Sequence, residues 1–265
     1  MANKDFYRFA HAYDIAFSDR DHQDEYNFLI WCFNNFAKVE NIWNYEKVFL
    51  EVACGPANQA RTFAEQGWKA VGLDLSESMI EYARSKDKEA GVEIQYYAED
   101  MTDFHIKEKA LIVSNPLESI SHILTNEGMV THLRAVSNVM VKGGVYIIEG
   151  THPKFFFPDN LPNTWTMREG DTEVDILFGL PEDEYDPVTQ VWNVTTRLDI
   201  KQKHRKMVTS ESKSFHRWYL AQEFKMLFEL SGAFESIDFL GDITVPAPPL
   251  SSGPECESMF VVLRK

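Results

Sequence analysis

Acidic and amide side chains follow successive apolar runs in the first half of the chain. Glu51 lies near the end of the first run, Asp74 ends the second, and Asp100 and Asn115 follow the third and the fourth. Carboxylate and amide oxygens accept hydrogen bonds from hydroxyl and amino groups. If the runs are parallel strands of one sheet, these side chains lie beyond the carboxyl ends of the strands, where open α/β sheets bind ligands. The spacing therefore predicts one binding site built from several strand ends.

The turn after the first run consists of small residues, Ala53-Cys54-Gly55-Pro56-Ala57-Asn58. It leads into an amphipathic helix that is predicted from about Gln59 to Gln66. A small-residue turn lets the backbone approach a ligand closely, and the N-terminus of the helix presents free N–H groups. This pattern predicts a cradle for a nucleotide.

The acids at the next two strand ends suit the two halves of a nucleoside. Asp74 can accept hydrogen bonds from both hydroxyls of a ribose. Asp100 can accept one from an adenine amino group, while the backbone N–H of Met101 serves a ring nitrogen. Ser76 indicates a helix start, with Met79 facing inward. Each acid alone is also explained as a solvated strand end or a helix cap, but four such signals in consecutive order indicate a site.

Strands and helices alternate regularly from residue 47 onward. We predict strands at 47–53, 69–74, 92–97, 110–114 and 144–149, and helices at about 58–66, 77–89, 118–124 and 127–141. Lys142-Gly143-Gly144 is predicted to end the last of these helices. Repeated strand–helix units of this length predict a parallel sheet with right-handed crossovers.

The second half of the chain has a different rhythm. Residues 151–217 contain several prolines and β-type runs, which predicts antiparallel strands inserted into an α/β domain. A helix is predicted at 220–230, and strands at 234–240 and 258–263 end the chain. The pattern of the first 45 residues predicts helices. The chain is therefore expected to comprise a helical part at 1–45, an α/β core at 46–150 and 218–265, and a β-rich insert at 151–217.

The composition of the chain is acidic. Its 265 residues carry a formal net charge of −15, with 41 Asp and Glu against 26 Lys and Arg. Such a field repels nucleic acid and anionic membranes and attracts cations. No apolar run is long enough to span a bilayer, and the three widely spaced cysteines suit neither a disulfide framework nor a zinc site. We expect a cytoplasmic protein without a nucleic-acid partner, a membrane partner or a metal; its oligomeric state is not indicated.

With these residues in view, the chain resembles the class I S-adenosylmethionine-dependent methyltransferases over residues 47–150 and the last two strands. The resemblance implies a Rossmann-like, seven-stranded, mostly parallel sheet flanked by helices, with an inserted antiparallel β cap after the fifth strand. It also implies S-adenosyl-L-methionine as the cofactor and S-adenosyl-L-homocysteine as its product. Of the three glycine positions of the family signature only Gly55 is kept, because Ala53 and Ala57 occupy the others. Alanine still permits close approach if its φ stays negative.

The resemblance assigns residues to the cofactor. Asp74 would hold the ribose, Asp100 and Met101 would bracket the adenine, and Glu51 would order the loop around the methionine part. The full implied set of cofactor-binding residues is Tyr13, Glu51, Ala53, Gly55, Asn58, Asp74, Leu75, Met79, Asp100, Met101, Asn115 and Leu117.

The nearer resemblance is to small-molecule methyltransferases that act on amines, such as glycine and amino-sugar N-methyltransferases. It implies that residues 1–45 form a lid, with the segment Ala12–Phe17 over the cofactor, and that 151–217 form a substrate cap. The segment Leu117–His122 would supply substrate contacts. A tyrosine can stand in the family where this chain has Phe17, so a phenol-assisted role has no counterpart at that position.

His122 is the candidate general base, since the reference pKa of histidine lies near neutrality. Glu118 would share its helix face at i, i+4 and is the second candidate catalytic residue. Phe17, His152 and Trp165 are further candidates for substrate contact. For each histidine the alternative is an ordinary packing role with backbone hydrogen bonds, and for the tryptophan it is the core of the inserted sheet.

The function predicted from these patterns is N-methylation of a small-molecule amine by in-line methyl transfer. An O-methyltransferase of a small hydroxyl substrate and a non-catalytic cofactor-binding module stay open as alternatives. A nicotinamide-dependent dehydrogenase fits worse, because Ala53–Asn58 cannot be matched to G-x-G-x-x-G. The charge balance argues against a nucleic-acid methyltransferase.

Overall fold

The computed structural model describes residues 9–155 and 161–265. The predicted lid and cap also include residues 1–8 and 156–160, which lie outside the described residues. Two compact units are present, and the boundaries between them include those after Asp21 and after Arg217. The larger unit holds the described residues from His22 to 155 and Trp218–Lys265; the smaller holds those up to Asp21 and from 161 to Arg217.

Strands and helices alternate from Val48–Val52 to Ile94–Tyr97, whereas the next strand, Ala110–Asn115, follows without a helix between them. The helices are α1 Ala10–Ala16, α2 His22–Phe36, α3 Asn58–Glu65, α4 Glu77–Ala90, α5 Asn126–Asn138 and α6 Ala221–Ser231. The strands are β1 Val48–Val52, β2 Lys69–Leu73, β3 Ile94–Tyr97, β4 Ala110–Asn115, β5 Met140–Gly150, β6 Asn163–Glu169, β7 Thr172–Phe178, β8 Tyr185–Asp186, β9 Val191–Gln202, β10 Val208–Arg217, β11 Ser236–Leu240 and β12 Met259–Arg264.

The larger unit is built on a seven-stranded sheet of order β11-β12-β5-β4-β1-β2-β3. Strands β1 to β5 pair in parallel, while β12 lies antiparallel to β5 and β11 antiparallel to β12. From β1 the strand order runs outward through β2 and β3 on one side, and the chain then crosses back to β4 and β5 on the other side. The gap between β1 and β4 is therefore the topological switch point, where such folds bind ligands. This confirms the predicted Rossmann-like, mostly parallel sheet.

Apolar layers cover both faces of this sheet. Every residue of β1 is buried, as expected for a central parallel strand. On one face Phe49 of β1 stacks on Phe63 of α3, with ring centroids 3.7 Å apart. Phe28 of α2 lies on the same face, 4.7 Å from the ring of Phe260. Helix α2, which the sequence analysis grouped with the lid, therefore packs in the same unit as the sheet.

The glycines at the start of β5 do not end a helix. The helix predicted at 127–141 ends at Asn138, and Gly143 and Gly144 lie inside the strand. Gly143 has φ +84°, and a Cβ there would lie 2.1 Å from the carbonyl oxygen of Lys38. Its own carbonyl accepts the Lys38 N–H at 2.8 Å. Glycine is required here because a second backbone segment crosses the strand at contact distance.

The segment predicted as a helix at 118–124 forms only the short 3-10 helix Ser119–His122. Glu118 precedes it with φ +54°, in the left-handed region. A residue in that conformation cannot share an α-helical face with His122, so the predicted i, i+4 relation of Glu118 and His122 is wrong.

The smaller unit contains α1 and a five-stranded antiparallel sheet of order β10-β9-β7-β6, with β8 paired to β9. The predicted antiparallel insert is thus confirmed. Strand β6 was not predicted, because most of its residues are exposed and its apolar face consists of two residues, Trp165 and Met167, which pack on the apolar cluster of this unit. Ile15 of α1 packs with Val174 and Leu198 of the sheet. No helix in the described part of the chain has the length and apolarity to cross a bilayer.

Candidate functional site

The candidate site lies at the carboxyl edge of the parallel strands in the larger unit. Glu51 in β1 stands in register with Gly72 of β2 and Ser114 of β4. Asp74 follows β2 directly, and its N–H donates to the carbonyl of Tyr97 at the end of β3 at 3.1 Å. The structure therefore brings the ends of β1, β2, β3 and β4 to one edge, as predicted.

The turn after β1 carries strained backbone at its two alanines. Ala53 has φ +54° and Ala57 has φ +59°, whereas Gly55 has φ +49°. All three signature positions are left-handed, so the condition of a negative φ, under which alanine permits close approach without strain, is not met at Ala53 or Ala57. An L-residue in that region costs roughly 1–2 kcal/mol, and such strain persists only where surrounding contacts fix it.

Arg61 of α3 supplies one of these contacts. Its guanidinium is buried, and it donates to the carbonyl of Pro56 at 2.8 Å and to Oδ1 of Asn58 at 2.8 Å. Its Nε pairs with Asp87 of α4 at 3.2 Å. The turn is thus tied to the helix of the next strand–helix unit.

Glu51 is the most deeply buried acid of the edge. Its side chain is 2% exposed, and Oε2 accepts the N–H of Ala60 in the first turn of α3 at 2.7 Å. Burial raises the pKa of Glu51 to about 8, helped by the nearby charges of Glu25 and Asp74 and opposed by the Ala60 N–H. The strand-end acid therefore caps α3 and holds a proton near neutral pH.

Asp74 joins the turn to the start of α4. Oδ2 accepts the N–H of Gly55 at 2.7 Å, and Oδ1 accepts the N–H of Ser76 at 2.7 Å. Burial raises the pKa of Asp74, and the two N–H donors oppose that rise. Leu75 beside it is 56% exposed, whereas Met79 on α4 is fully buried. Leu75 therefore faces solvent, whereas Met79 is enclosed by the protein.

The third strand end is a tight turn at Asp100–Asp103, closed by a 3.2 Å bond from the Asp103 N–H to the Asp100 carbonyl. Oδ1 of Asp100 accepts both the N–H and the hydroxyl of Thr102, at 2.8 and 2.7 Å. Asp100 is exposed. The two bonds from Thr102 both end on Oδ1, so they fix the direction of the carboxylate without engaging Oδ2.

Asn115 ends β4 and is fully buried. Its Nδ2 donates to the carbonyl of Val52 at 3.0 Å, while Oδ1 has no hydrogen-bond partner among the described residues. Leu117, the next predicted cofactor residue, has φ +54° and donates its N–H to Glu149 of β5 at 2.8 Å. A buried amide oxygen without a partner is costly, and Asn115 Oδ1 is therefore a feature that a bound donor would satisfy.

The two candidate histidines differ in what surrounds them. His122 is half-buried at the end of the short 3-10 helix, at the same edge as Leu117. His152 is 4% exposed; its Nδ1 accepts the Lys154 N–H at 3.1 Å and its Nε2 donates to the Ser251 carbonyl at 2.8 Å. Both ring nitrogens of His152 are thus engaged by backbone, which favours the packing role over substrate contact.

Three predicted residues belong to the smaller unit. The rings of Tyr13 and Phe17 lie 4.9 Å apart, and those of Phe17 and Trp165 5.8 Å apart. The indole of Trp165 donates to the carbonyl of Ala16 at 2.8 Å. These contacts build the core of that unit, and the roles of the three residues in cofactor or substrate binding stay predictions.

Sequence reasoning missed a buried polar chain beneath the edge. Gln59 of α3 donates to Glu25 of α2 at 3.0 Å and accepts the hydroxyl of Ser114 in β4 at 2.7 Å. His22 also contacts Glu25, at 3.2 Å. The sequence reasoning also missed Glu149, although an acid near the end of the fifth apolar run was an available signal.

The comparisons with known proteins agree with this geometry. Residues 49–144 match the family described as "Methyltransferase domain". A dTDP-3-amino-3,4,6-trideoxy-alpha-D-glucopyranose N,N-dimethyltransferase of Streptomyces venezuelae is 27% identical over 120 residues, which is 45% of this chain and 47% of that enzyme. A ubiquinone biosynthesis O-methyltransferase of Pseudomonas aeruginosa is 27% identical over 179 residues, covering 58% of this chain and 75% of that enzyme.

The fold is also that of solved methyltransferases. A crystal structure of an S-adenosylmethionine-dependent methyltransferase from Clostridium acetobutylicum has a TM-score of 0.74 at 17% identity, with 98% of each chain covered. The resemblance to the class I methyltransferases is thereby confirmed for the domain and the fold, and the comparisons support S-adenosylmethionine as the cofactor. The match to the Streptomyces venezuelae enzyme spans about half of that relative.

Proposed function

Since residues 49–144 match a methyltransferase domain, we propose that this chain transfers a methyl group from S-adenosylmethionine to a small-molecule amine. The observation that carries the proposal is the joint edge of β1, β2, β3 and β4, where Glu51, Asp74 and Asn115 follow or end neighbouring strands. A ligand with a ribose, a purine and a charged amino-acid part needs several different polar groups within one cleft, and this edge supplies them.

The ribose fits Asp74. Each carboxylate oxygen has two lone pairs, and each accepts only one of the backbone N–H groups of Gly55 and Ser76. One lone pair on each oxygen is left for the two vicinal hydroxyls. The backbone bonds also fix the direction of the carboxylate before a ligand arrives, which lowers the entropic cost of binding.

The purine fits the next strand end. Thr102 binds one carboxylate oxygen of Asp100 within the turn. The other oxygen can then accept a hydrogen bond from an exocyclic amino group. The exposed side chain of Leu75 offers an apolar face to a ring, since an apolar side chain 56% exposed gains from being covered.

The amino-acid part fits the turn after β1 and the end of β4. An ammonium group donates three hydrogen bonds, and the unpartnered Oδ1 of Asn115 is a buried acceptor at this point of the edge. Glu51 lies in the adjacent strand, and its carboxylate would attract the ammonium group when it is ionised.

The cofactor, when bound, supplies a methyl group on a positively charged sulfur, which needs no further activation. The chain therefore has to orient the acceptor nitrogen in line with that methyl group, exclude water and accept a proton. His122 is proposed to accept the proton, and Glu149 is proposed to hold the Leu117–Glu118 turn that carries the acceptor-side residues, through the 2.8 Å bond from the Leu117 N–H.

Two observations favour an amine acceptor. The net charge of −15 attracts cations, and the amino-sugar relative is named as an N,N-dimethyltransferase. The O-methyltransferase relative has the same identity over a longer stretch, so a small hydroxyl compound is the second candidate acceptor.

Calorimetry with S-adenosylhomocysteine tests the cofactor half of the proposal. We expect binding by the wild type and at least about a tenfold loss in Asp74→Ala, since two hydrogen bonds to a charged group are removed. Glu89→Ala, which removes an exposed acid from α4, is the matched control and should bind as the wild type does. No binding by the wild type at millimolar ligand would reject the cofactor assignment.

Transfer of a labelled methyl group tests the acceptor half. We expect product with members of an amine library and little with matched alcohols, and the reverse result would favour the O-methyltransferase. His122→Ala is expected to lower turnover more than cofactor affinity. Unchanged turnover would assign His122 to packing.

A further inference from the structure

A buried histidine outside the strand ends is hydrogen-bonded to the third of them. His132 of α5 is fully buried, and its Nδ1 lies 2.7 Å from the carbonyl oxygen of Met101. Its Nε2 lies 2.7 Å from the hydroxyl of Tyr146 in β5. One ring therefore bridges the Asp100–Asp103 turn and the centre of the sheet.

The tautomer of this ring follows from its partners. A carbonyl oxygen can only accept, so Nδ1 of His132 carries the proton and donates to Met101. Burial lowers the pKa of His132 to about 4, so the ring is neutral near pH 7. Nε2 is then an acceptor, and the Tyr146 hydroxyl donates to it. Both of these side chains are fully buried, so water does not compete for the bond between them.

The bond to Met101 acts on the turn that is proposed above to hold the purine. Met101 is the second residue of the turn, and its side chain packs against the apolar core below the sheet's edge. Fixing the Met101 carbonyl restricts rotation of the peptide between Met101 and Thr102. That peptide carries the N–H by which Thr102 holds Oδ1 of Asp100. The direction of the Asp100 carboxylate thus depends on His132 through two successive hydrogen bonds.

We propose that His132 is a positioning residue that sets the Asp100–Asp103 turn for the adenine base and so determines selectivity for a 6-aminopurine. This inference rests on the proposed function, because it takes the ligand of the turn to be the purine of S-adenosylmethionine. No proton is transferred by His132, and the residue does not contact the ligand.

The variants separate the bond to Met101 from the burial of the ring. His132→Leu combined with Tyr146→Phe removes the bond to Met101 without leaving the tyrosine hydroxyl unpaired in the core. Tyr146→Phe alone is the control, since it keeps the bond to Met101. His132→Asn combined with Tyr146→Phe is the conservative variant, because the asparagine amide nitrogen takes the place of Nδ1.

The probes are S-adenosylhomocysteine and S-inosylhomocysteine, in which a carbonyl oxygen replaces the purine 6-amino group. We expect Tyr146→Phe to prefer the adenine compound as the wild type does. The His132→Leu double variant should lose about tenfold in affinity for S-adenosylhomocysteine, the effect of about one buried hydrogen bond, and much of the preference. The His132→Asn double variant should regain both.

Hydrogen exchange without ligand gives a readout that does not depend on binding. The Asp103 amide, which is bonded within the turn, should exchange faster in the His132→Leu double variant than in Tyr146→Phe. A folded His132→Leu double variant with unchanged preference and unchanged exchange would overturn the inference, as would an asparagine variant that rescues neither. If the wild type binds neither probe while the exchange result holds, the proposed function fails and the selectivity claim fails with it.

Discussion

Glu51 shows how its surroundings set the charge of a single side chain. It is enclosed by β1, β2, β4 and α3, and its pKa is raised from 4.5 to about 8, chiefly by burial. Between these two values the folded protein holds a proton that the unfolded chain has released. Below pH 4.5 Glu51 is protonated in both states and does not lower the free energy of unfolding. As the pH rises from 4.5 to about 8, the free energy of unfolding falls, because the folded state retains a proton that the unfolded chain has lost.

We predict that Glu51→Gln flattens this dependence. The amide cannot ionise, and its oxygen can still accept the Ala60 N–H. In urea unfolding between pH 4.5 and 8, the wild type should lose up to about 1.4 kcal/mol of stability per pH unit relative to the variant. The exposed Glu89→Gln is the control and should follow the wild type. Parallel curves for the wild type and Glu51→Gln would show that Glu51 is ionised in the folded protein.

The alanines of the turn after β1 provide a second prediction at the residue scale. Ala53 is half-buried with φ +54°, so Ala53→Gly relieves left-handed strain while removing little buried surface. We expect a gain of about 1 kcal/mol in the free energy of unfolding. Ala57→Gly should gain less, because the Ala57 methyl is fully buried and its loss costs about 0.8 kcal/mol.

Urea denaturation checks both changes. Ala60→Gly in α3 is the control and should destabilise by about 2 kcal/mol, because it combines the helix cost of glycine with the loss of a fully buried methyl group. A destabilised Ala53→Gly would mean that the methyl group is held by contacts stronger than the strain. Sequence patterns located this turn correctly but not its backbone conformation, because φ in a turn is set by long-range bonds such as that from Gly55 to Asp74, 19 residues away.

At the scale of elements, the close crossing at Gly143 is the most sensitive point of the sheet. Gly143→Ala places a Cβ 2.1 Å from the Lys38 carbonyl oxygen at φ +84°. Gly91, the C-cap residue that follows α4, has φ +70°, and a Cβ added there would meet no atom within 4 Å. The two sites share the backbone strain and differ in the clash.

We therefore predict that Gly143→Ala costs more than about 3 kcal/mol or prevents folding, whereas Gly91→Ala costs about 1 kcal/mol. Thermal and urea unfolding of both variants measures the difference. Equal losses would show that the segment at Lys38 moves away without cost.

The elements that sequence patterns predicted are those with local signals. The five parallel strands and the helices between them follow from apolar periodicity and small-residue turns. Strand β6 gives only a weak signal of this kind, because Trp165 and Met167 are the two apolar residues in it. The 3-10 helix at Ser119–His122 depends on the left-handed residues before it. The bonds from Gln59 to Glu25 and Ser114 join residues 34 and 55 positions apart. No local pattern encodes such pairings, so the buried network of the site could only be seen in the fold.

At the scale of the whole molecule, charge is the property that bears on the acceptor. Asp and Glu exceed Lys and Arg by 41 to 26. A field of this sign speeds the encounter with a cation and has little effect on a neutral molecule. Added salt screens the field, because the Debye length falls from about 30 Å at 0.01 M to about 10 Å at 0.1 M.

We predict that kcat/KM for a cationic amine acceptor falls severalfold over this range of salt. For a neutral hydroxyl acceptor it should stay constant. Initial rates at fixed, saturating S-adenosylmethionine measure both, and the affinity for S-adenosylhomocysteine at each salt concentration is the control for effects on the cofactor. The long-range field acts before the acceptor docks, so the slope with salt reports the charge of the acceptor as it arrives rather than at the moment of transfer. A slope of zero for the preferred amine would mean that it arrives unprotonated, and His122 would then have no proton to remove before the methyl group is transferred.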